Sequence, residues 1–416
     1  MLSHRKLDIV ETAKESVLKL EEKEFDSPHV LYSFPFRIGS ERICATAGYQ
    51  VVGAATAGTR VTVLSGSIGR TFPPEVRNRS TLAAGPFRLP IRYLGNDRAC
   101  RLHDWIAARW LERNADEIDL VHGWPLASIQ TIRVAKRLGI PFLLERPNAH
   151  TAYAYEATAV ECRHLGIELP PDHDHYFNQN FLDQEEKEYD ETDFLLCPSD
   201  FVAQTFLDRG FKEGRLIRHH YGFDDTRFTP GQQDSSNSRG LVMIYVGVCE
   251  PRKGLHYALQ AWLQSGAHHH GKFIVCGTFV PGYAAKLQPM LDHPSVEVLG
   301  HRKDIANLMK ASDLFVLPSV EEGSALVTYE ARGSGCVMLV SDGAGAVGQH
   351  MDDAMIHPMR DVATLASHID IVDGNRNFLE QLRRASLSIA KTITWASAGE
   401  RLNKVYSEVF AKAKSR

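Results

Sequence analysis

Two glutamates in the C-terminal half of the chain, Glu322 and Glu330, have a spacing that suits the two ends of one ligand. Glu322 falls in a loop, and Glu330 about two turns into the following helix, roughly 10 Å along it at ~1.5 Å per residue. That separation is too long for a shared metal ion or proton. Backbone N–H groups of residues 324–327 would lie between them, where a helix N-terminus binds phosphate. The pair predicts a phosphate flanked by two hydroxyl-bearing groups, although two solvated carboxylates at a helix start would have the same spacing.

Two adjacent cations, Arg252 and Lys253, form a second candidate site. They follow an apolar run, residues 243–246, that ends at Gly247, and they precede a predicted helix. A guanidinium fork beside a point charge, at the C-terminal end of a strand, suits a diphosphate. A solvated basic loop would have the same sequence. The glutamate pair in the same part of the chain favours the ligand site.

The elements that must position these groups follow a strand, loop, helix, strand order. Leu314 to Leu317 is an apolar run closed by Pro318 and Ser319, and it is followed by a helix over about 325–334 and a second apolar run over 336–340. This order is the βαβ unit of a doubly wound parallel sheet. Ligands bind such sheets at the C-terminal ends of the strands. The same rhythm recurs along the chain, so we expect an α/β protein with two Rossmann-like domains.

The length of 416 residues favours two domains. A polar stretch over 231–240, GQQDSSNSRG, follows RLIRHHYGFDDTRFTP, and together they predict the hinge region. We therefore place an N-terminal domain at 1–218 and a C-terminal domain at 219–395, followed by a terminal helix over 396–416. An amphipathic helix is predicted over 6–24, before the first strand.

The composition is that of an ordinary globular chain. The net charge of -4 gives no reason to expect nucleic acid. Seven scattered cysteines without a CxxC pair indicate a reducing compartment. We find no signal peptide and no apolar run of the ~18 residues that a membrane span needs. We expect a soluble, cytoplasmic chain without a transmembrane segment, with room for peripheral association with the inner face of a membrane.

Other catalytic and metal motifs are weak or missing. The run Asp172-His173-Asp174-His175 has ligand types, but no second ligand set follows at the usual spacing, so we expect no metal there. Neither a GxSxG nucleophile elbow nor a GxxxxGK[ST] phosphate loop occurs in the sequence.

Four elements in one order resemble the retaining family-4 glycosyltransferases of the GT-B fold (glycosyl transferases group 1). PSVEEGSALVTYEA carries that family's glutamate, seven residues and second glutamate, and VGVCEPRKG is similar to its VGR…KG element. YGFDDTRFTP is similar to its NGVD…F…P run, and SDFVAQTFLDRG to its SxFV…F…G helix. The resemblance covers roughly residues 117–350 and the terminal helix at Trp395. It implies two Rossmann-like domains facing across a cleft, with the C-terminal helix crossing back to the N-terminal domain.

The resemblance also implies an activity. It is the transfer of a sugar from a nucleoside diphosphate-sugar donor to an acceptor hydroxyl, with retention of configuration and without a metal or other cofactor. Glu330 would accept the ribose hydroxyls, Lys253 would hold the diphosphate, and Glu322 would bind the transferred sugar. Further donor contacts are expected from the N–H groups of Ser324, Ala325 and Leu326, from Gly39 in the N-terminal loop, from backbone near Arg302, and from Arg252.

The resemblance further implies a histidine aimed at the sugar from the N-terminal domain. Alignment of GIPFLLERPNAH with the family puts Pro147 at that position. We take His150 as the candidate, with His122 in DLVHGW as the alternative. The N-terminal domain, including 151–190, would build the acceptor site. The acceptor itself is left open among a glycan, a lipid-linked sugar and a small molecule.

Three departures from the family pattern bear on donor choice and activity, and two of them, Val248 and Ala325, motivate an alternative function. Val248 stands where the family has an arginine, Ala325 where it has a glycine, and Tyr221 where it has an asparagine. Arg252 is placed to supply the missing guanidinium. The alternative is a non-catalytic member of the same fold that binds a nucleotide-sugar or a glycan. A phosphorylase or sugar epimerase of this fold would need a cofactor lysine or an acid/base pair that the sequence does not show.

Overall fold

The computed structural model of the chain describes residues 27–84, 87–88, 95–231 and 240–415. The predicted helix over 6–24 lies outside these residues, as do residues 232–239 of the predicted hinge. Among the described residues, none of the helices combines the length and apolar character that crossing a membrane requires.

The N-terminal part of the chain folds around a seven-stranded parallel sheet in the order β3-β2-β1-β6-β7-β8-β9. Strand β1, the third in this order, reads HVLYSFPFRI, and the first seven of these residues are buried. Such continuous apolar runs are typical of parallel strands covered on both faces. The strands of this part are β1 His29–Ile38, β2 Arg60–Ile68, β3 Arg77–Ser80, β6 Leu120–Gly123, β7 Phe142–Glu145, β8 Phe194–Cys197 and β9 Leu216–Arg218, with a small hairpin of β4 Ala83–Ala84 and β5 Phe87–Arg88.

The C-terminal part folds around a six-stranded parallel sheet in the order β12-β11-β10-β13-β14-β15. Its two central strands, β10 and β13, pair directly, so the loops that follow them lie side by side at one edge. The strands are β10 Val242–Val246, β11 Lys272–Cys276, β12 Val296–Gly300, β13 Leu314–Leu317, β14 Val337–Ser341 and β15 Ala354–His357.

Helices follow most strands of both sheets, as the sequence rhythm predicts. In the first part they are α1 Ile43–Thr56, α2 Asn96–Arg113, α3 Ile129–Leu138, α4 Thr151–Leu165, α5 Gln179–Glu191 and α6 Asp200–Leu207. In the second part they are α7 Leu255–Gln264, α8 Tyr283–Leu291, α9 Ile305–Lys310, α10 Leu326–Gly333, α11 Val362–Gly374, α12 Arg376–Ala390 and α13 Trp395–Lys414.

The last helix, α13, returns to the N-terminal part. Leu402, Val405 and Tyr406 join the apolar core beneath the N-terminal sheet. The approach to α1 is close, because a Cβ atom on Gly399 would collide with the backbone of Gly53. The two Rossmann-like units and the returning helix confirm the predicted architecture. The exact domain boundaries at 218/219 and 395/396 stay a prediction.

The C-terminal ends of the two sheets face each other. Gly323, after β13, lies directly against the backbone of Pro147, after β7, and a Cβ atom at 323 would collide with the Pro147 carbonyl oxygen. Ser199, after β8, donates a hydrogen bond from its hydroxyl to the Gly323 carbonyl oxygen. The edges that carry the candidate residues therefore form the walls of the interdomain cleft.

Candidate active site in the interdomain cleft

The loops after β10 and β13 are joined by their backbones. A turn of 3-10 helix, Pro251–Lys253, is closed by Gly254 at φ +69°. A side chain at Gly254 would collide with the Pro318 carbonyl oxygen, so glycine permits this close approach. The N–H of Val320 donates to the Arg252 carbonyl oxygen at 2.9 Å. The basic motif and the glutamate motif therefore form one unit at the sheet edge.

Lys253 and Glu322 meet within this unit. The Lys253 stem runs past the end of β10, where a Cβ atom on Gly247 would be 3.5 Å from its Cδ. Its Nζ forms an ion pair with Oε1 of Glu322, a side chain that is almost fully buried. The structure thus places an ammonium group and a carboxylate, 69 residues apart in sequence, at one point of the cleft.

The N-terminus of α10 opens at the same point. The Ser324 hydroxyl is turned inward, 2.6 Å from the Tyr329 hydroxyl, and Ala325 is the N-cap without a side-chain cap. Across the described residues, the N–H groups of Ser324, Ala325 and Leu326 donate no hydrogen bond to another protein group. Free donors at the positive end of a helix dipole are suited to an anion.

Glu330 lies further along α10, within the same cleft. Burial raises the pKa of its carboxyl to about 7; the charge of Arg227 lowers this pKa and that of Asp224 raises it. No group in the described ranges donates a hydrogen bond to this carboxylate. It is therefore available to a ligand, with an ionisation that falls close to neutral pH.

Arg252 is turned away from the free N–H groups. Its guanidinium is buried and donates to Oε1 of Glu250 at 2.7 Å and to Oε2 of Glu321 at 2.9 Å. Burial alone would raise the pKa of Glu321, but the hydrogen bond from His175 and the charge of Arg252 hold it at about 2. The geometry favours Arg252 as a clamp beneath the site rather than as the predicted contact to a diphosphate, because its two Nη groups are paired with carboxylates, including Glu322 at 3.2 Å, and its Nε is buried without a partner among the described residues.

Two histidines that the sequence reasoning did not assign to this site reach it from the N-terminal domain. In the loop between α4 and α5, His173 Nε2 lies 2.8 Å from Oε2 of Glu250, and His175 Nε2 lies 3.4 Å from Oε2 of Glu321. The backbone N–H of His175 donates to His173 Nδ1 at 3.1 Å. The hydrogen of a neutral His173 ring is therefore on Nε2, facing Glu250. The run over 172–175 therefore clasps the two domains together.

The residue types in that run were the only clue in the sequence; they are types that ligate metals, although the spacing led us to expect no metal there. Within the described ranges, no group of three or more His, Cys, Asp or Glu side chains is placed to hold a metal ion. The clasp was missed because its partners, Glu250 and Glu321, are far away in the chain and lie in the other domain.

The predicted sugar-facing histidine, His150, is not aimed at the cleft. It is the N-cap of α4, where its Nδ1 accepts the N–H of Ala152 at 3.2 Å. Its ring packs edge-on against Tyr189 and Phe206, at centroid distances of 5.2 and 5.0 Å. Burial lowers its pKa to about 3. These contacts make His150 a neutral capping and core residue, because α4 begins directly after it.

The alternative, His122, is also engaged inside the N-terminal domain. Its Nδ1 lies 2.7 Å from the Tyr406 hydroxyl on α13, and its Nε2 lies 3.2 Å from Oε2 of Glu145. Glu145 also accepts hydrogen bonds from Gln50 and from the hydroxyl of Tyr221, both at 2.9 Å. This buried network joins the sheet, the returning helix and the segment after β9, and it does not reach the candidate site.

The two remaining predicted contacts lie at opposite edges. Gly39 follows β1 at φ +78°, on the N-terminal wall of the cleft. Arg302 follows β12, and its exposed guanidinium forks onto Asp304 at 2.8 and 2.7 Å. The prediction assigns the backbone near Arg302, and not this guanidinium, to the base.

Known proteins resemble the chain in sequence over part of its length. Residues 240–372 match the family model described as "Glycosyl transferases group 1". Over 45 residues, 11% of the chain and 12% of the relative, it is 51% identical to the UDP-Gal:alpha-D-GlcNAc-diphosphoundecaprenol alpha-1,3-galactosyltransferase of Escherichia coli. Over 256 residues it is 25% identical to the D-inositol 3-phosphate glycosyltransferase of Mycolicibacterium smegmatis, with 56% of each chain covered. The chain thus spans about half or less of these relatives. The predicted resemblance is confirmed for 240–372.

Solved structures resemble the whole chain. The Anabaena protein Alr3699/HepE, solved in complex with UDP, superposes with a TM-score of 0.62 at 15% identity, covering 91% of this chain and 100% of that one. The sucrose-phosphate synthase of Thermosynechococcus elongatus gives a TM-score of 0.64 at 16% identity, covering 93% and 100%. At these identities the likeness shows the fold, and it confirms the GT-B prediction.

Proposed function

We propose that this chain transfers a sugar from a nucleoside diphosphate-sugar to an acceptor hydroxyl, with retention of configuration and without a metal. The observation that supports this best is the ion pair of Lys253 with Glu322 at the N-terminus of α10. It brings a cation, a carboxylate and free N–H donors together at one point of an interdomain cleft. These groups suit a nucleoside diphosphate-sugar, because the cation and the N–H donors can bind its diphosphate and the carboxylate can accept hydrogen bonds from its sugar hydroxyls.

In the proposed complex the diphosphate lies between Lys253 and the N–H groups of residues 324–326. Both carry positive charge or partial charge, and the cleft wall shields them from water. Glu330, further along α10, accepts the ribose hydroxyls. Glu322 exchanges its bond with Lys253 for hydroxyls of the transferred sugar. The ion pair thus keeps both side chains in place for the donor.

The proposed reaction requires stabilisation of negative charge on the leaving group. The bond from the anomeric carbon to the phosphate oxygen breaks, and negative charge develops on the leaving diphosphate. Lys253 and the α10 N-terminus stabilise that charge. The acceptor oxygen bonds to the anomeric carbon from the face that the phosphate leaves, and its proton passes to the departing phosphate oxygen. Closing of the two domains, with Gly323 against Pro147, keeps water from competing with the acceptor.

The proposed acceptor carries phosphate. The relatives act, by their names, on a diphosphoundecaprenol-linked sugar and on D-inositol 3-phosphate, and both of these bear phosphate groups. Since the first is a lipid, we place the reaction in the cytoplasm or at the inner face of a membrane.

A panel of UDP-, GDP-, ADP- and dTDP-sugars tests this proposal. Each donor is incubated with the wild-type chain and with Glu322→Gln, and released nucleoside diphosphate is measured together with donor binding. We expect one donor to be turned over slowly even without acceptor, and the variant to bind it with little release. Binding of a donor without any release would favour the non-catalytic alternative, to which Val248 at the family's arginine position points. If no donor bound, both the proposed transfer and the nucleotide-sugar-binding alternative would be wrong.

A further inference from the structure

Two arginines without an assigned role lie on the N-terminal wall of the cleft. Arg37 is near the end of β1, and Arg70 follows the end of β2. These strands pair in parallel, with Ile38 opposite Ile68, so both arginines are at the C-terminal edge of the sheet. That edge faces the C-terminal domain, as the contact of Gly323 with the loop after β7 shows.

Three glycines pack against the two arginine stems: Gly39 and Gly69, directly after β1 and β2, and Gly48 in α1. A Cβ atom on Gly39 would collide with the Arg70 side chain, and one on Gly48 would be 3.0 Å from Arg70 Cδ. A Cβ atom on Gly69 would be 3.2 Å from Arg37 Cγ. Each stem therefore crosses over the end of the other strand. Gly39 is covered by Arg70, so a ligand approaching this loop meets a guanidinium as well as backbone.

Aromatic stacking fixes the Arg70 guanidinium. It lies 4.7 Å from the centroid of the Tyr49 ring, and Tyr49 stacks on Trp395, the first residue of α13, at 4.9 Å with 4° between the planes. A guanidinium on an aromatic face keeps its edge N–H groups free for hydrogen bonds. Arg70 is thus held in place without using its donors.

Within the described ranges, no carboxylate lies within ion-pair distance of Arg37 or Arg70. On the opposite wall, Arg252 and Lys253 are both paired with carboxylates, those of Glu250, Glu321 and Glu322. For a phosphate that enters the cleft, Arg37 and Arg70 therefore add unpaired positive charge on the N-terminal wall to the charge of Lys253 and the α10 N–H groups.

We propose that Arg37 and Arg70 form a phosphate-binding site, built from the β1 and β2 ends and completed by α13. Its ligand is a phosphate or diphosphate group of the donor or of the acceptor. The inference rests on the proposed function of the cleft. The two sources share one chemistry, and the experiment below separates them.

The test uses calorimetric titration of the full chain. UDP, GDP and ADP are titrated first, and inorganic pyrophosphate is then titrated into protein saturated with the nucleotide that binds. The variants are Arg37→Ala, Arg70→Ala, the double variant and Arg70→Lys. The matched control is Arg113→Ala. Arg113 is the exposed last residue of α2 and belongs to neither of the loops that follow β1 and β2.

We expect the double variant to lose at least tenfold in affinity for one probe, with Arg70→Lys between it and wild type. A loss of affinity for the nucleotide would assign the site to the diphosphate of the donor. A loss of affinity for pyrophosphate alone would assign it to the acceptor. Wild-type affinity of the folded variants for both probes would overturn the inference and leave the proposed function standing. If the wild-type chain bound neither probe, the proposed function would fail as well. The single variants keep the test decisive should the double variant not fold.

Discussion

The ionisation of Glu330 should make donor binding depend on pH. Burial raises the pKa of this carboxyl to about 7. Its ionised fraction then rises from about a tenth at pH 6 to about nine tenths at pH 8. A carboxylate accepts hydrogen bonds from two ribose hydroxyls, whereas a protonated carboxyl must use one oxygen as a donor. If the ionised form binds, donor affinity should rise about tenfold over this range, which is about 1.4 kcal/mol.

The assay is calorimetric titration of an intact nucleoside diphosphate-sugar at pH 6, 7 and 8. A free nucleoside diphosphate is unsuitable, because its terminal phosphate itself titrates near pH ~6. Glu330→Gln is the matched control, since it keeps the shape and removes the titration. We expect its affinity to be flat with pH and below that of wild type at pH 8. A flat wild-type profile, or an equal rise in Glu330→Gln, would refute the assigned role of this residue.

Four further changes separate clamp, cation, closure and clasp. Arg252→Met leaves buried carboxylates unpaired and should lower the free energy of unfolding by about 3–5 kcal/mol in urea. Lys253→Met leaves Glu322 paired with Arg252 at 3.2 Å, so it should cost less stability and weaken donor binding instead. Similar losses of stability would contradict this division. Gly323→Ala should lower turnover and enlarge the particle in X-ray scattering, while Gly374→Ala, at an open helix end, should do neither. His173→Ala should speed proteolysis of the loop between α4 and α5, and His173→Gln, which can also donate, should restore protection; equal cleavage would argue against the clasp.

The sequence predicted the part of the site that depends on local order. Glu322, Glu330 and Lys253 each follow a strand of one parallel sheet, and parallel strands bring their C-terminal ends to a common edge. Because β10 and β13 are neighbours, the lysine and the first glutamate meet. Those relations can be read from short segments of apolar and turn residues.

The remaining contacts depend on how distant segments fold together. Arg252 is next to Lys253 in sequence, but its side chain is drawn inward by carboxylates from two loops. His150 resembles a cleft residue until the start of α4 makes it a cap. His173 reaches its partner across the domain interface, and no local pattern encodes that pairing. Arg70 is recognisable as a candidate phosphate ligand only in the fold, where Gly39 and Gly48 pack against its side chain.

The central claim is transfer from a nucleotide-sugar with retention at the site of Lys253 and Glu322. Proton NMR tests it most directly, by following the anomeric signals of the donor turned over in the panel, in the presence of a phosphate-bearing acceptor. We predict that the early product has the anomeric configuration of the donor and that Lys253→Met forms it at least tenfold more slowly. A product of inverted configuration, or equal rates in the two proteins, would contradict the account.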